Sequence, residues 1–129
     1  MSNQVKVLIA DDNPDMRITL RHILSDFDCD ITEVGTGEDA FEKISAEYFN
    51  VVFFDNKLPK ADGLEIIKQV RELNKAVGKI FLLTGYPEED TKVEANRLGV
   101  FHFQNKKDMA LAGAFLAEIR KKFREALSS

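Results

Sequence analysis

Val51-Val52-Phe53-Phe54-Asp55-Asn56-Lys57-Leu58-Pro59 is the stretch on which the fold turns. Four β-branched or aromatic residues follow one another without a polar interruption. A strand with one wet face alternates, whereas an unbroken apolar run of strand length is expected when helices cover both faces of a parallel sheet. The strand is expected over Asn50 to Phe54, and it stops on a carboxylate. Aspartate opens turns by bonding its own backbone. A carboxylate at the carboxyl end of a central parallel strand also stands where open α/β sheets bind their ligands. The flanking sequence decides between the two.

Upstream, Val5 to Ala10 is a short strand ending in Asp11-Asp12. Asn13-Pro14 reads as a helix N-cap followed by proline at the first helical position. Met16, Leu20, Ile23, Leu24 and Phe27 recur at helical spacing and predict one buried face. A second strand fits Cys29 to Val34. The next helix opens at Thr36, with Asp39 as a weak capping partner, and is expected to bury Phe41, Ile44 and Tyr48.

Downstream, Asp62-Gly63-Leu64-Glu65 has the form of a capping box. The helix behind it is expected to turn Leu64, Ile67, Val70 and Leu73 inward. A fourth strand spans Gly78 to Leu83 and leads into Thr84-Gly85. Pro87, Glu88, Glu89 and Asp90 start a helix that Gly99 stops. Val93 and Leu98 are its large apolar anchors, so it is expected to be the loosest element. The fifth strand is expected over Val100 to Gln104. Asp108 is expected to cap a last helix carrying Leu111, Phe115, Ile119, Phe123 and Leu127 at steps of four.

Five strands alternating with five helices predict a doubly wound, flavodoxin-like α/β fold with parallel strands in the order 2-1-3-4-5 and helices on both faces. One domain fills residues 1–129, a length within the usual ~100–200 residues of a single domain. No room is expected within that length for a further DNA-binding or enzymatic domain.

Composition narrows the function class. The chain is 44% hydrophobic, with 18 basic and 22 acidic residues and a net charge of −4, which argues against a nucleic-acid-binding surface. The basic run Arg120-Lys121-Lys122-Phe123-Arg124 reads as the solvated end of the last helix. The single cysteine, Cys29, has no internal disulfide partner and reads as a thiol in a reducing compartment. No apolar run approaches the ~20 residues of a membrane span, and no signal peptide is evident. A cytoplasmic protein is expected. His22 and His102 read as incidental.

In the expected strand order, Asp11, Asp12, Asp55, Thr84 and Lys106 all reach one crevice at the carboxyl end of the sheet. Phosphoryl acceptance by an aspartate fits this set. Clustered carboxylates repel one another unless a cation joins them, and Mg2+ suits a site of few carboxylates, waters and phosphate oxygens. Asp55 is the candidate nucleophile, Lys106 the candidate neutraliser of charge on the transferring group, and the Thr84 hydroxyl a donor to the attached phosphoryl.

The set Asp11-Asp12, Asp55 with Leu58-Pro59 and Asp62-Gly63, Thr84-Gly85 and Lys106 closely resembles the receiver domain of bacterial two-component response regulators, end to end and similar to the single-domain chemotaxis type. The successive intervals fit as well: 43 residues from Asp12 to Asp55, 29 from Asp55 to Thr84 and 22 from Thr84 to Lys106. The resemblance implies that Asp55 takes a phosphoryl group from a histidine kinase or histidine phosphotransfer protein. It implies that Asp12, Asp55 and the main-chain carbonyl of Lys57 hold Mg2+, with Asp11 acting directly or through water. It further implies that Thr84 and Phe103 report phosphorylation to a surface of the fourth helix, fifth strand and fifth helix, where an unknown downstream protein docks. Such a chain is a phosphoacceptor switch rather than an enzyme, monomeric or dimerising on phosphorylation, without nucleic-acid or membrane partners.

The sequence departs from the family at Lys106-Lys107, where proline commonly follows the lysine. Without proline a cis bond costs about 3–4 kcal/mol, so a trans bond and a rearranged loop are expected, with Lys107 as a stand-in cation. The departure keeps a second reading in view, a pseudo-receiver that binds partners without being phosphorylated. An aspartyl-phosphate hydrolase is disfavoured because Asp11-Asp12-Asn13 lacks the Asp-x-Asp spacing. A flavin-binding domain is disfavoured because two carboxylates would repel the flavin phosphate.

Overall fold

The computed structural model describes residues 4–85, 88–106 and 112–128. In chain order the elements are β1 (Val5–Ala10), α1 (Pro14–Leu24), β2 (Cys29–Val34), α2 (Gly37–Ala46), β3 (Val51–Asp55), α3 (Gly63–Glu72), β4 (Lys79–Thr84), α4 (Glu89–Arg97), β5 (His102–Asn105) and α5 (Ala112–Ser128). The strands form one parallel sheet in the order β2-β1-β3-β4-β5, as the alternating pattern predicts.

The three central strands are buried on both sides, and their side chains alternate between two cores. Val7, Ile9, Val51, Phe53, Phe81 and Leu83 pack with Met16, Leu20, Ile23 and Leu24 of α1 and Phe115, Ile119 and Phe123 of α5. The intervening Leu8, Val52, Phe54, Ile80 and Leu82 pack with Ala40 and Ile44 of α2, Ile66, Ile67 and Val70 of α3, and Ala95 of α4. Phenylalanine rings dominate the first core. Phe53 lies 4.7 Å from Phe81 and 6.2 Å from Phe123, and Phe123 meets Phe27 edge-on at 4.8 Å.

Local signals set several ends as read. The Asn13 side chain accepts from the Asp15 amide with Pro14 at the first helical position, and the Thr36 side chain accepts from the Asp39 amide. Gly99 closes α4 with φ of +76°, a left-handed conformation that glycine adopts without a Cβ penalty.

Other expectations need correction. Tyr48 is half exposed, and its neighbour Phe49 is buried in its place. The helix ends at Ala46, and the extended backbone at Glu47 breaks the helical phase that would have turned Tyr48 inward. Leu73, at the C-cap of α3, is exposed. Leu127 is partly exposed while Ala126 is buried. At 3.6 residues per turn, each step of four overshoots by about 40°, so a stripe at strict fours walks off the buried face. The Asp62 side chain makes no capping bond to α3. Val93 is exposed and Ala95 is the one buried residue of α4, so the helix itself is thinly anchored. The third, fourth and fifth strands begin one or two residues later than expected. Pro87, Asp108, Leu111 and the Lys106–Lys107 bond lie, wholly or in part, outside the described residues.

Candidate functional site

The register builds the site before any side chain is considered. Ala10 pairs with Phe54 and Asp55 with Leu83, so Asp11 and Asp55 emerge side by side where β1 and β3 end. Both are nearly inaccessible, at 2% and 6% exposure, while Asp12 faces solvent. One carboxylate oxygen from each of Asp11, Asp12 and Asp55 lies within 4.8 Å of the others. That donor set fits a hard divalent cation of the Mg2+ kind, which takes oxygen ligands and tolerates few carboxylates beside water.

Lys106, one residue beyond β5, bridges the two buried acids. Its Nζ lies 2.9 Å from Asp11 Oδ2 and 3.1 Å from Asp55 Oδ1. The Lys57 amide donates to Asp55 Oδ1 at 3.3 Å, so the β3–α3 loop folds back over this carboxylate. Thr84 ends β4 and is fully buried, paired in register with Asn105 just before Lys106. Phe103 is half-buried on the edge strand β5, against the core of α2, α3 and α4. The structure therefore brings Asp11, Asp12, Asp55 and Lys106 together, places Thr84 on the adjoining strand, and leaves Phe103 on the edge strand away from the carboxylates.

Two further residues shape the site and were not singled out from the sequence. Asn56 locks the chain immediately after Asp55. Its amide donates to the Leu83 carbonyl at 2.9 Å, its carbonyl accepts from Gly63 at 3.0 Å, and its side chain accepts from the Leu64 amide at 3.2 Å. It thereby supplies the N-terminal bond to α3 that Asp62 does not make. Gly63 permits this closeness, since a Cβ there would sit 2.5 Å from the Asp55 carbonyl oxygen. Arg17, on the first turn of α1, donates to the Asp11 carbonyl at 2.6 Å. Asparagine's fitness as a cap was a usable clue to Asn56, but the six residues between it and Gly63 hid it. Bonds to backbone carbonyls leave no trace in side-chain pattern, so Arg17 was silent.

Burial, and secondarily the Asp11 charge, push the Asp55 carboxyl up to about 6, against the opposing pull of Lys106. A carboxyl raised on folding is fully stabilising below its unfolded value of 3.8, and that contribution is lost as pH rises through about 6. At pH 7.5 the buried ionised Asp55 is therefore a liability that asparagine lacks. Without divalent cations, Asp55→Asn is expected to be more stable than the wild type by about 1–3 kcal/mol at pH 7.5, given ~1.4 kcal/mol per pKa unit and some solvent relaxation. The gain should shrink towards zero near pH 4.5. Thermal melts of both proteins in EDTA at the two pH values check this; a pH-independent difference contradicts it.

Comparison with known proteins agrees with the geometry. The family model for the response regulator receiver domain matches residues 7–111. The alkaline phosphatase synthesis transcriptional regulatory protein PhoP of Bacillus subtilis is 33% identical over 101 residues, covering 78% of this chain and 42% of that protein. The peroxide stress-activated histidine kinase mak3 of Schizosaccharomyces pombe is 31% identical over 108 residues, covering 78% of this chain and 5% of the kinase. The chain thus spans less than half the length of either relative. Among solved structures, the response regulator domain of Thermotoga maritima CheB superposes with a TM-score of 0.81 at 25% identity, covering 98% of both chains. Among the described residues, no helix is long and apolar enough to cross a membrane.

Proposed function

Since this chain belongs to the response regulator receiver domain family of two-component systems, we propose that it is an aspartyl-phosphate switch with Asp55 as its acceptor. The observation that carries the reading is the Asp11–Lys106–Asp55 bridge with Asp12 beside it, at the carboxyl end of the sheet. The donor is a phosphohistidine of a histidine kinase or histidine phosphotransfer protein. A carboxylate oxygen of Asp55 bonds to phosphorus while the phosphorus–nitrogen bond to the donor breaks, its electron pair returning to the imidazole. Asp11, Asp12, Asp55 and the Lys57 carbonyl would hold Mg2+, which when bound supplies positive charge to the phosphoryl oxygens.

Lys106 is already within hydrogen-bond reach of an Asp55 oxygen and moves its bond to a phosphoryl oxygen as the group arrives. Thr84 lies fully buried at the end of β4, so its hydroxyl reaches the phosphoryl by a movement of that strand end. That movement is the switch: it draws on a thinly anchored α4 and passes along the Leu82–Phe103 pairing to β5. The face of α4, β5 and α5 then meets a downstream protein or a second copy. The 129 residues act as one receiver unit in the cytoplasm, a switch that promotes its own phosphorylation and dephosphorylation rather than turning over a substrate.

Intact mass after incubation with phosphoramidate, with and without Mg2+, tests this directly. The expected result is a Mg2+-dependent gain of one phosphoryl group that Asp55→Asn abolishes. Folded wild type that gains nothing at any Mg2+ concentration would instead mark a partner-binding pseudo-receiver.

A further inference from the structure

We propose that Arg17, held in place by Glu33, is a positioning residue for Asp12, acting through the Asp11–Asp12 peptide to set the affinity of the carboxylate site for Mg2+; this rests on the Mg2+-dependent reading of that site. Asp11 is restrained at its amide, which donates to the Val34 carbonyl at 3.1 Å, and at both carboxylate oxygens, by the Asn13 amide at 2.9 Å and Lys106 at 2.9 Å. Its carbonyl lies beyond the last paired residue of β1, where the β2 ladder no longer reaches. Arg17 Nη1 meets it at 2.6 Å, a charge-assisted bond.

The consequence passes one residue along the chain. A peptide group is planar, so the Asp11 carbonyl shares its plane with the nitrogen and Cα of Asp12. Fixing that carbonyl fixes the direction in which Asp12 leaves the strand. Asp12 needs such help because its side chain is exposed and no surrounding core holds it. Asp11 and Asp55 are held by burial and by Lys106, whereas Asp12 is aimed by its backbone.

Arg17 is itself anchored. Its Nε lies 3.3 Å from Glu33 Oε1, and the other oxygen of Glu33 takes Arg21 Nη1 at 2.8 Å. Glu33 lies on β2, the edge strand opposite β5, and Arg17 and Arg21 lie one turn apart on α1. The edge strand thus contributes to the site without supplying a ligand. Outer-shell groups that orient metal ligands commonly carry this kind of influence.

Calorimetric titration of Mg2+ into wild type, Arg17→Met, Arg17→Lys, Glu33→Gln and Arg21→Met distinguishes aiming from simple stability. Arg17→Met is expected to weaken Mg2+ binding about 10- to 100-fold, the range seen when such orienting groups are removed. Arg17→Lys should recover part of the loss and Glu33→Gln show a smaller one. The Mg2+ concentration for half-maximal phosphoryl uptake should shift by the same factor, with the rate at saturating Mg2+ nearly unchanged. Arg21→Met loses its bond to Glu33 but none to the Asp11 carbonyl, so it should melt lower without moving the Mg2+ affinity. Wild-type affinity in folded Arg17→Met, or an equal loss in Arg21→Met, overturns the inference. Should Arg17→Met not fold, Arg17→Lys and Glu33→Gln decide alone, and wild-type affinity in both overturns it. Wild type that binds no Mg2+ removes the functional reading itself, a result visible before any variant is made.

Discussion

Lys106→Met is expected to be the most damaging substitution in the site, costing about 3–5 kcal/mol at pH 7.5 in the absence of divalent cations, the range for breaking one side of a buried ion pair. The ammonium is the shared partner of two acids that are nearly inaccessible to water, 2.9 Å from one and 3.1 Å from the other. Methionine keeps most of the stem and removes the ammonium, both its charge and its donors to the acids. The acids then face each other uncompensated, and Asp55, already raised to about 6, rises further. Protonation is its escape, so the deficit should be greatest above pH 7 and small at pH 4.5. Mg2+ should restore part of the loss by replacing one cation with another. Phosphoryl uptake is expected to fall about 10²- to 10³-fold even at saturating Mg2+, as when one donor to a developing oxyanion is removed. Denaturant melts across pH, with uptake followed by intact mass, provide both readings. A variant within ~1 kcal/mol of wild type at pH 7.5 would mean that the bridge contributes little.

Phe53→Ala is the second large effect, and it arises from the core rather than the chemistry. The ring is 1% exposed, tilted against Phe81 at 4.7 Å and stacked over Phe123 at 6.2 Å. Removing it leaves a cavity walled by Phe81 of β4 and Phe123 of α5, both fully buried in the same core, and rigid neighbours collapse poorly. A cost of about 3–5 kcal/mol follows for a buried phenylalanine. Ile18→Ala, at an exposed position on α1, provides the contrast, with an expected change within ~0.5 kcal/mol. Urea denaturation of the two variants against wild type measures the difference. Equal losses would show that the phenylalanine cluster is not where the stability resides.

The frame and the site differ in how far they could be read from residues alone. The apolar run at Val51 to Phe54, the caps at Asn13 and Thr36 and the helical spacing of Met16, Leu20 and Ile23 are local signals, and local signals are strong where one periodic face meets one core. The convergence of Asp11, Asp55 and Lys106 followed from strand order. The errors occur where the phase ends. Tyr48 and Leu73 lie at or past helix termini, where the next residue points wherever the backbone turns. The capping of α3 departs for a different reason: Asp62 and Glu65 satisfy the motif, but the side chain that bonds the first turn is Asn56, which takes the Leu64 amide from across a loop. Arg17 belongs to the same class, because its partner is a carbonyl that any residue at position 11 would carry.

The alternation of the central strands between two cores has a consequence for which changes of length the chain tolerates. Val51 and Phe53 face α1 and α5, Val52 and Phe54 face the other layer, and Asp55 follows in step with Phe53, as Asp11 follows Ile9. The two cores therefore act as a vernier that sets the side of the sheet on which Asp55 stands. Deleting or inserting one residue within β1 or β3 would exchange every side chain beyond it between the layers. Even if the apolar residues repacked, the carboxylate would point away from Lys106. A two-residue change restores the side but displaces the carboxylate along the strand by nearly 7 Å, more than one hydrogen bond can span. Length variation in this chain is thus confined to the turns, and the strand residues with no chemistry of their own are what keep Asp55 facing Lys106.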